Sequence, residues 1–131
     1  MISFSIPGEA VAFARAGKNG KRHFTPSKQA AFMGAVKLFA QRALAGQEPF
    51  EGPVRIAVRA DYLHPASWSA KKKAATVWKT SKPDADNIAK LLKDALNKVA
   101  FHDDAQVAEL IVQKRYAPFA CLTVSVERLQ G

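Results

Sequence analysis

Between residues 84 and 99 the apolar side chains Ile88, Leu91, Leu92, Ala95, Leu96 and Val99 recur at spacings of three and four. That period puts them on one stripe of an α-helix running from about Asp84 to Val99, with Asp86, Lys90, Asp94 and Asn97 along the opposite side. A stripe this apolar needs a surface to cover it, and segments of period two provide one. Ile2, Phe4 and Ile6 alternate with serines up to Pro7-Gly8. Val54, Ile56, Val58 and Ala60 alternate with Arg55, Arg59 and Asp61 in a strand from Val54 to Tyr62. Leu122, Val124 and Val126 alternate with polar residues from Cys121 to Arg128. The run Ala105 to Tyr116 reads as a further strand, with Ala108, Leu110, Val112 and Tyr116 on one face. A second amphipathic helix, Pro26 to Ala45, carries Ala31, Phe32, Ala35, Phe39 and Ala43; Thr25-Pro26 opens it and Gly46 closes it. The expected fold is α/β (α+β): a small mixed β-sheet of four or five strands covered by two main helices, one domain over residues 1–131.

The intervening segments are basic. In "FARAGKNGKRHFTP" the residues Gly17, Asn19 and Gly20 supply turn chemistry for a hairpin whose tip carries Arg15, Lys18, Lys21 and Arg22. In "HPASWSAKKKAATVWKTSK" either Ser67 or Ser69 caps a short helix over Ala70 to Trp78, with Lys71, Lys72 and Lys73 around its circumference. Trp68 and Trp78 bracket these lysines, and two readings stand: the rings stack on exposed bases, or they pin a loop to the core. The net charge of +9 points to a polyanionic partner, most often nucleic acid. Cys121 is the lone cysteine, so neither an internal disulfide nor a Cys-based zinc site can form, and a reducing cytoplasm fits. "MISFSIPGEAV" lacks the basic start and long apolar core of a signal peptide, and no apolar run approaches membrane-spanning length. No Walker motif or G-x-S-x-G elbow is present, which leaves NTPases and serine hydrolases without support.

Against this basic background five of the eleven acidic residues, Asp84, Asp86, Asp94, Asp103 and Asp104, fall within one stretch of the chain. Taken singly, each has an ordinary explanation: a helix cap or dipole complement contributes about 0.3–1 kcal/mol, and an Asp86–Lys90 pair about 0.3–0.5 kcal/mol. The set as a whole is not explained in this way. Chain order alone leaves Asp104, at the opening of the returning strand, apart from Asp84 and Asp86 unless the loop folds back along the helix.

The stretch Lys82 to Tyr116, about a quarter of the chain, resembles the RusA family of Holliday junction resolvases. That family's signature is D-x-D-N-x-x-K opening a helix, then F-x-D-D-[AS]-Q-V opening a strand. Here the two runs read "DADNIAK" (Asp84 to Lys90) and "FHDDAQV" (Phe101 to Val107). The resemblance implies that Asp84, Asp86 and Asp104 are catalytic acids and metal ligands, that Lys90 is the essential lysine, and that Asp103 is a further metal ligand. It also implies a homodimer that uses Mg²⁺, with Mn²⁺ as a substitute, and cuts two opposed strands of four-way junction DNA in recombination and repair. Such proteins are often carried by phages and prophages. Hard carboxylate donors without cysteine or organised histidine agree with magnesium or manganese over zinc. DNA contacts are expected from Arg15, Lys18, Lys21, Arg22, Lys71, Lys72, Lys73, Lys79 and Lys82, although the family's basic string after the first strand is thinner here. No membrane and no nucleotide cofactor is expected, and His102 reads as a solvated loop residue. Two competing functions are a non-catalytic nucleic-acid-binding module, whose acids are caps and salt bridges, and a metal-dependent nuclease for other branched DNA.

Overall fold

The computed structural model describes residues 1–12 and 26–130. The elements are β1 (Ile2–Pro7), α1 (Pro26–Leu44), β2 (Val54–Tyr62), α2 (Ala70–Ala75), α3 (Ala85–Leu96), a 3₁₀ turn (Asp104–Gln106), β3 (Val107–Tyr116) and β4 (Cys121–Arg128). The predicted hairpin with Arg15, Lys18, Lys21 and Arg22, and the Thr25 cap, lie outside the described residues.

The result is a mixed α+β fold with one four-stranded sheet in the order β1-β4-β2-β3. β4 is antiparallel to both β1 and β2, whereas β2 and β3 are parallel. Parallel neighbours need a long crossover, and here the chain from Tyr62 to Val107 provides it through α2 and α3. That connection carries α3 across the sheet and next to β3. One sheet face is apolar: Ile2, Phe4, Ile6, Val54, Ile56, Val58, Ala60, Leu122, Val124 and Val126 are buried on it. They meet Val36, Ala40 and Leu44 of α1 and Ile88, Leu92, Ala95 and Leu96 of α3 in a single core. Burying each larger aliphatic of α3 contributes about 1.5–3 kcal/mol, far more than any cap or surface pair, so this stripe decides where the helix lies. The other face is polar, and two of its arginines are engaged by acids: Arg55 by Glu109 and Glu127, and Arg59 by Asp61.

The structure departs from the sequence expectation at two helix ends and on one strand face. The short helix stops at Ala75 instead of reaching Trp78, because Thr76 takes an extended backbone and returns its hydroxyl to the Lys72 carbonyl at 2.8 Å. Its cap is Ser69, whose hydroxyl accepts from the Lys72 N–H at 3.2 Å. The main helix ends at Leu96 and not Val99, since Asn97 is extended and Lys98 is left-handed with φ 65°. The last strand pair also corrects a face assignment. Val54 pairs with Val107 but Arg55 pairs with Glu109, so Ala108 is extra and drops out of the register. Leu110, Val112 and Tyr116 keep the helix-side face, opposite Ile56, Val58 and Tyr62.

Candidate active site

Two short motifs build the site, each with one part that anchors and one that is left exposed. In "DADNIAK", Asp84 stands at the N-cap of α3 with extended backbone (φ −73°, ψ 146°), and its carbonyl accepts from the N–H groups of Asn87 and Ile88. Its side chain makes no capping hydrogen bond, so the ordinary cap explanation does not account for this carboxylate. Asp86 follows in the first turn, exposed, while Ile88 two residues on is buried in the core. Asp86, Lys90 and Asp94 then rise along one stripe at steps of four, about 12 Å from first to last at 1.5 Å per residue.

In "FHDDAQV", Phe101 is fully buried, and the Phe50 N–H donates to the carbonyl of neighbouring Ala100 at 2.8 Å. Asp103 caps the 3₁₀ turn, accepting from the Ala105 N–H at 3.1 Å. That bond, above all, holds the Asp103 carboxyl below its usual range. Gln106 completes the cap. Its Oε1 accepts from the His102 and Asp103 N–H groups at 2.7 and 2.9 Å, and its Nε2 donates to the Phe50 and Gly52 carbonyls, each at 2.9 Å. The turn is thereby fastened to the chain leading into β2, and Asp104 is presented toward α3. β3 then runs back along α3: near its end, Lys114 Nζ reaches the Pro83 carbonyl at the start of the helix.

Between α3 and the opening of β3 lies a cleft of about 280 Å³, lined by Asp86, Ala89, Lys90, Lys93, Asp94, Asp104 and Leu110. Asp86 and Lys90 from the first motif and Asp104 from the second thus line one cleft. Asp84 is exposed at the helix start and is not part of the lining, and Asp103 is occupied as a cap. Among the described residues, no group of three or more His, Cys, Asp or Glu side chains converges tightly enough to hold a metal by itself. Magnesium does not require such a cage: it is commonly held by one or two carboxylates, with waters and substrate phosphates completing the shell. Asp86 and Asp104 facing one open cleft fit that mode. His102 is exposed, 3.9 Å from the Glu51 carboxylate, and does not line the cleft.

A family model described as Endodeoxyribonuclease RusA matches residues 7–127, a span that contains both aspartate motifs, all of β2 and β3 and all but the last residue of β4. The chain belongs to the RusA endodeoxyribonuclease family. The uncharacterized protein YqaN of Bacillus subtilis (strain 168) is 38% identical over 126 residues, covering 88% of each chain.

In this RusA-family chain the described lysines expected to contact DNA lie on α2 and in the segment that follows it, outside the lining of the cleft. Lys71, Lys72 and Lys73 lie on α2, which buries none of its residues. Lys72 Nζ sits 4.2 Å from the centre of the Trp68 ring. The two tryptophans differ in their surroundings. Trp68 packs edge-on against Tyr116 at 5.3 Å and is half-buried, so it pins the loop. Trp78 is 55% exposed with the Arg115 guanidinium over its ring. Lys79 is half-buried, over the Tyr62 and Tyr116 rings and bonded to the Ser81 hydroxyl, while Lys82 is exposed just ahead of Asp84. Replacing Lys71, Lys72 and Lys73 together with Gln should weaken junction binding and flatten the dependence of log affinity on log salt by about 2–3, since each phosphate contact contributes about 0.9. Unchanged affinity across a salt titration, with an unchanged melt, would make α2 a bystander.

On the sequence Asp94 stands on the exposed stripe of α3 with no role of its own, and Lys93, Gln106 and Lys114 carry no assignment either. Asp94 is detectable as the next step of four after Lys90. Gln106 is detectable as the third residue after Asp103, the spacing of a capping box. Lys114 has no local signal, because its partners are 31 and 33 residues away.

Proposed function

We propose that this RusA-family protein is a magnesium-dependent, structure-selective endonuclease that resolves Holliday junctions by paired cleavage of opposed strands in DNA recombination and repair. The observation that carries this reading is the placement of Asp86 and Asp104, from separate motifs, across one cleft beside Lys90 in a chain of net charge +9. Bound there, Mg²⁺ or Mn²⁺ would supply an activated water and relief of charge on the scissile phosphate. The chain's own residues do the rest. Asp86 and Asp104 hold the ion, with Asp84 at the rim of the site. The Lys90 ammonium offsets charge that develops on the phosphate. The lysines of α2, with Lys82 at the mouth of the helix, hold the backbone of the four-way junction in register. No helix among the described residues is long and apolar enough to cross a membrane, and a free Cys121 suits the reducing cytoplasm in which this DNA would be met.

The reading requires two copies. A four-way junction has two-fold symmetry and productive resolution takes two opposed nicks, whereas each chain carries one such cleft among its described residues. Light scattering at micromolar concentration should give about twice 14.3 kDa. A monomer that still makes paired nicks would exclude the homodimer.

The deciding experiment compares a four-way junction, a flap and a linear duplex, each with Mg²⁺ and with EDTA. Paired nicks in the junction alone, lost in EDTA, are expected. Binding without cutting in Mg²⁺ would return the protein to the class of binding modules, and preferential cutting of flaps would change the substrate.

A further inference from the structure

The path of the chain into Asp84 is set from β3. Lys114 lies opposite Ala60, with its side chain on the sheet face that α3 covers. Its Nζ donates to the carbonyls of Ser81 and Pro83 at 2.7 and 2.8 Å. Its own carbonyl accepts from the Lys79 N–H at 3.0 Å, and the Tyr116 N–H two residues later donates to the Val77 carbonyl at 2.7 Å. The segment from Val77 to Pro83 is thus fastened to the end of β3 through main chain at one end and through one ammonium at the other. The Pro83 carbonyl belongs to the peptide plane whose nitrogen is that of Asp84, so fixing this oxygen fixes the point from which Asp84 projects and from which the first turn of α3, with Asp86, begins. Charge-assisted bonds to two carbonyls give that point a definite position where a solvated loop would sample many.

We propose that Lys114 is a positioning residue for the carboxylates at the start of α3, holding Asp84 and Asp86 in the geometry needed for cleavage without touching DNA or metal. This rests on the nuclease reading above, and the test separates the two. Lys114→Met keeps the length of the side chain and removes its donors, while Lys114→Arg keeps donors and charge. For Lys114→Met, single-turnover junction cleavage should fall about 10–100-fold and the Mg²⁺ midpoint should rise, the range seen when a residue that orients metal ligands is lost. Junction affinity measured in Ca²⁺ should be unchanged. Amide hydrogen exchange at Asn87 and Ile88 should accelerate, while Leu91 to Leu96 stay protected. Lys114→Arg should recover much of the rate.

Wild-type cleavage by Lys114→Met at every Mg²⁺ concentration would overturn the proposal, as would a loss of junction affinity as large as the loss of cleavage, which would make Lys114 a phosphate contact. Should Lys114→Met fail to fold, Lys114→Gln reads the same quantities with a neutral donor. The exchange measurement requires no activity. Accelerated exchange in a protein that cuts nothing would sustain the clamp and sink the nuclease, whereas unchanged exchange beside normal, Asp86-dependent cutting would sink the clamp alone.

Discussion

Asp86→Asn is expected to bind a four-way junction as tightly as the parent protein, or more tightly, and to cut it more slowly by about 10²–10⁴-fold, the loss common when one member of a catalytic set is removed. The substitution preserves shape and helix-starting ability, because Asn serves near a helix N-terminus about as well as Asp. It removes one negative charge from a cleft that already holds Asp94 and Asp104. If Asp86 merely complements the helix dipole, the change costs at most a fraction of a kcal/mol, about 0.3–1 kcal/mol being the whole effect, and cleavage is untouched. If Asp86 holds the metal, cleavage collapses and the phosphates lose a repulsive neighbour. Asp104→Asn and Asp84→Asn should behave alike, and double variants should be far from additive because the acids act as a unit. Lys90→Ala should also abolish cutting, with slightly weaker binding. Cleavage rate, junction affinity and a thermal melt for each variant make the comparison, and near wild-type cutting by Asp86→Asn would end the metal-site reading.

Phe101→Ala should destabilise the fold by about 3–5 kcal/mol, the usual cost of truncating a buried phenylalanine. The ring is fully buried, among the largest side chains in the core, and stands at the head of the turn that presents Asp104. Its loss leaves a cavity at the place where Phe50 bridges to Phe101 and where Gln106 ties the turn to residues 50 and 52. A calorimetric melt should drop by roughly 10–20 °C for a chain of this size. Below the new midpoint the variant should still cut more slowly than it melts would suggest, since Asp104 depends on the same anchor. A shift of only a degree or two would mean that the neighbouring side chains close the gap.

What could be read from the sequence follows a physical division. The span of β2 and the stripe of α3 were legible because burial there is decided by alternation or periodicity within a few turns of chain. Lys98 at φ 65° ends α3 three residues early, and a residue outside glycine gives no local warning of that conformation. The face of β3 was misjudged at Ala108 because an edge strand with an extra residue has no second neighbour to enforce its register. That Asp86 and Asp104 line the same cleft was not derivable at all from order along the chain. It depends on β2 and β3 being parallel, a pairing between residues more than fifty positions apart. The two motif runs gave by resemblance a catalytic role to Asp104 and only a metal-ligand role to Asp103, but nothing in them shows that Asp103 caps the turn while Asp104 lines the cleft.

The ion pairs on the polar face of the sheet have an effect at long range. With Arg55 held by Glu109 and Glu127 and Arg59 by Asp61, that side contributes little net field. The helices carry Lys28, Lys37, Arg42, Lys71, Lys72, Lys73, Lys90 and Lys93 against Asp86 and Asp94 alone. Among the described residues the charge is therefore lopsided between the two sides of the sheet. A polyanion approaching within a Debye length, about 8–10 Å at moderate salt, would turn the molecule helices-first before any contact forms. Encounters begin with the cleft already facing the nucleic acid, and fewer collisions are spent on the wrong side of the sheet.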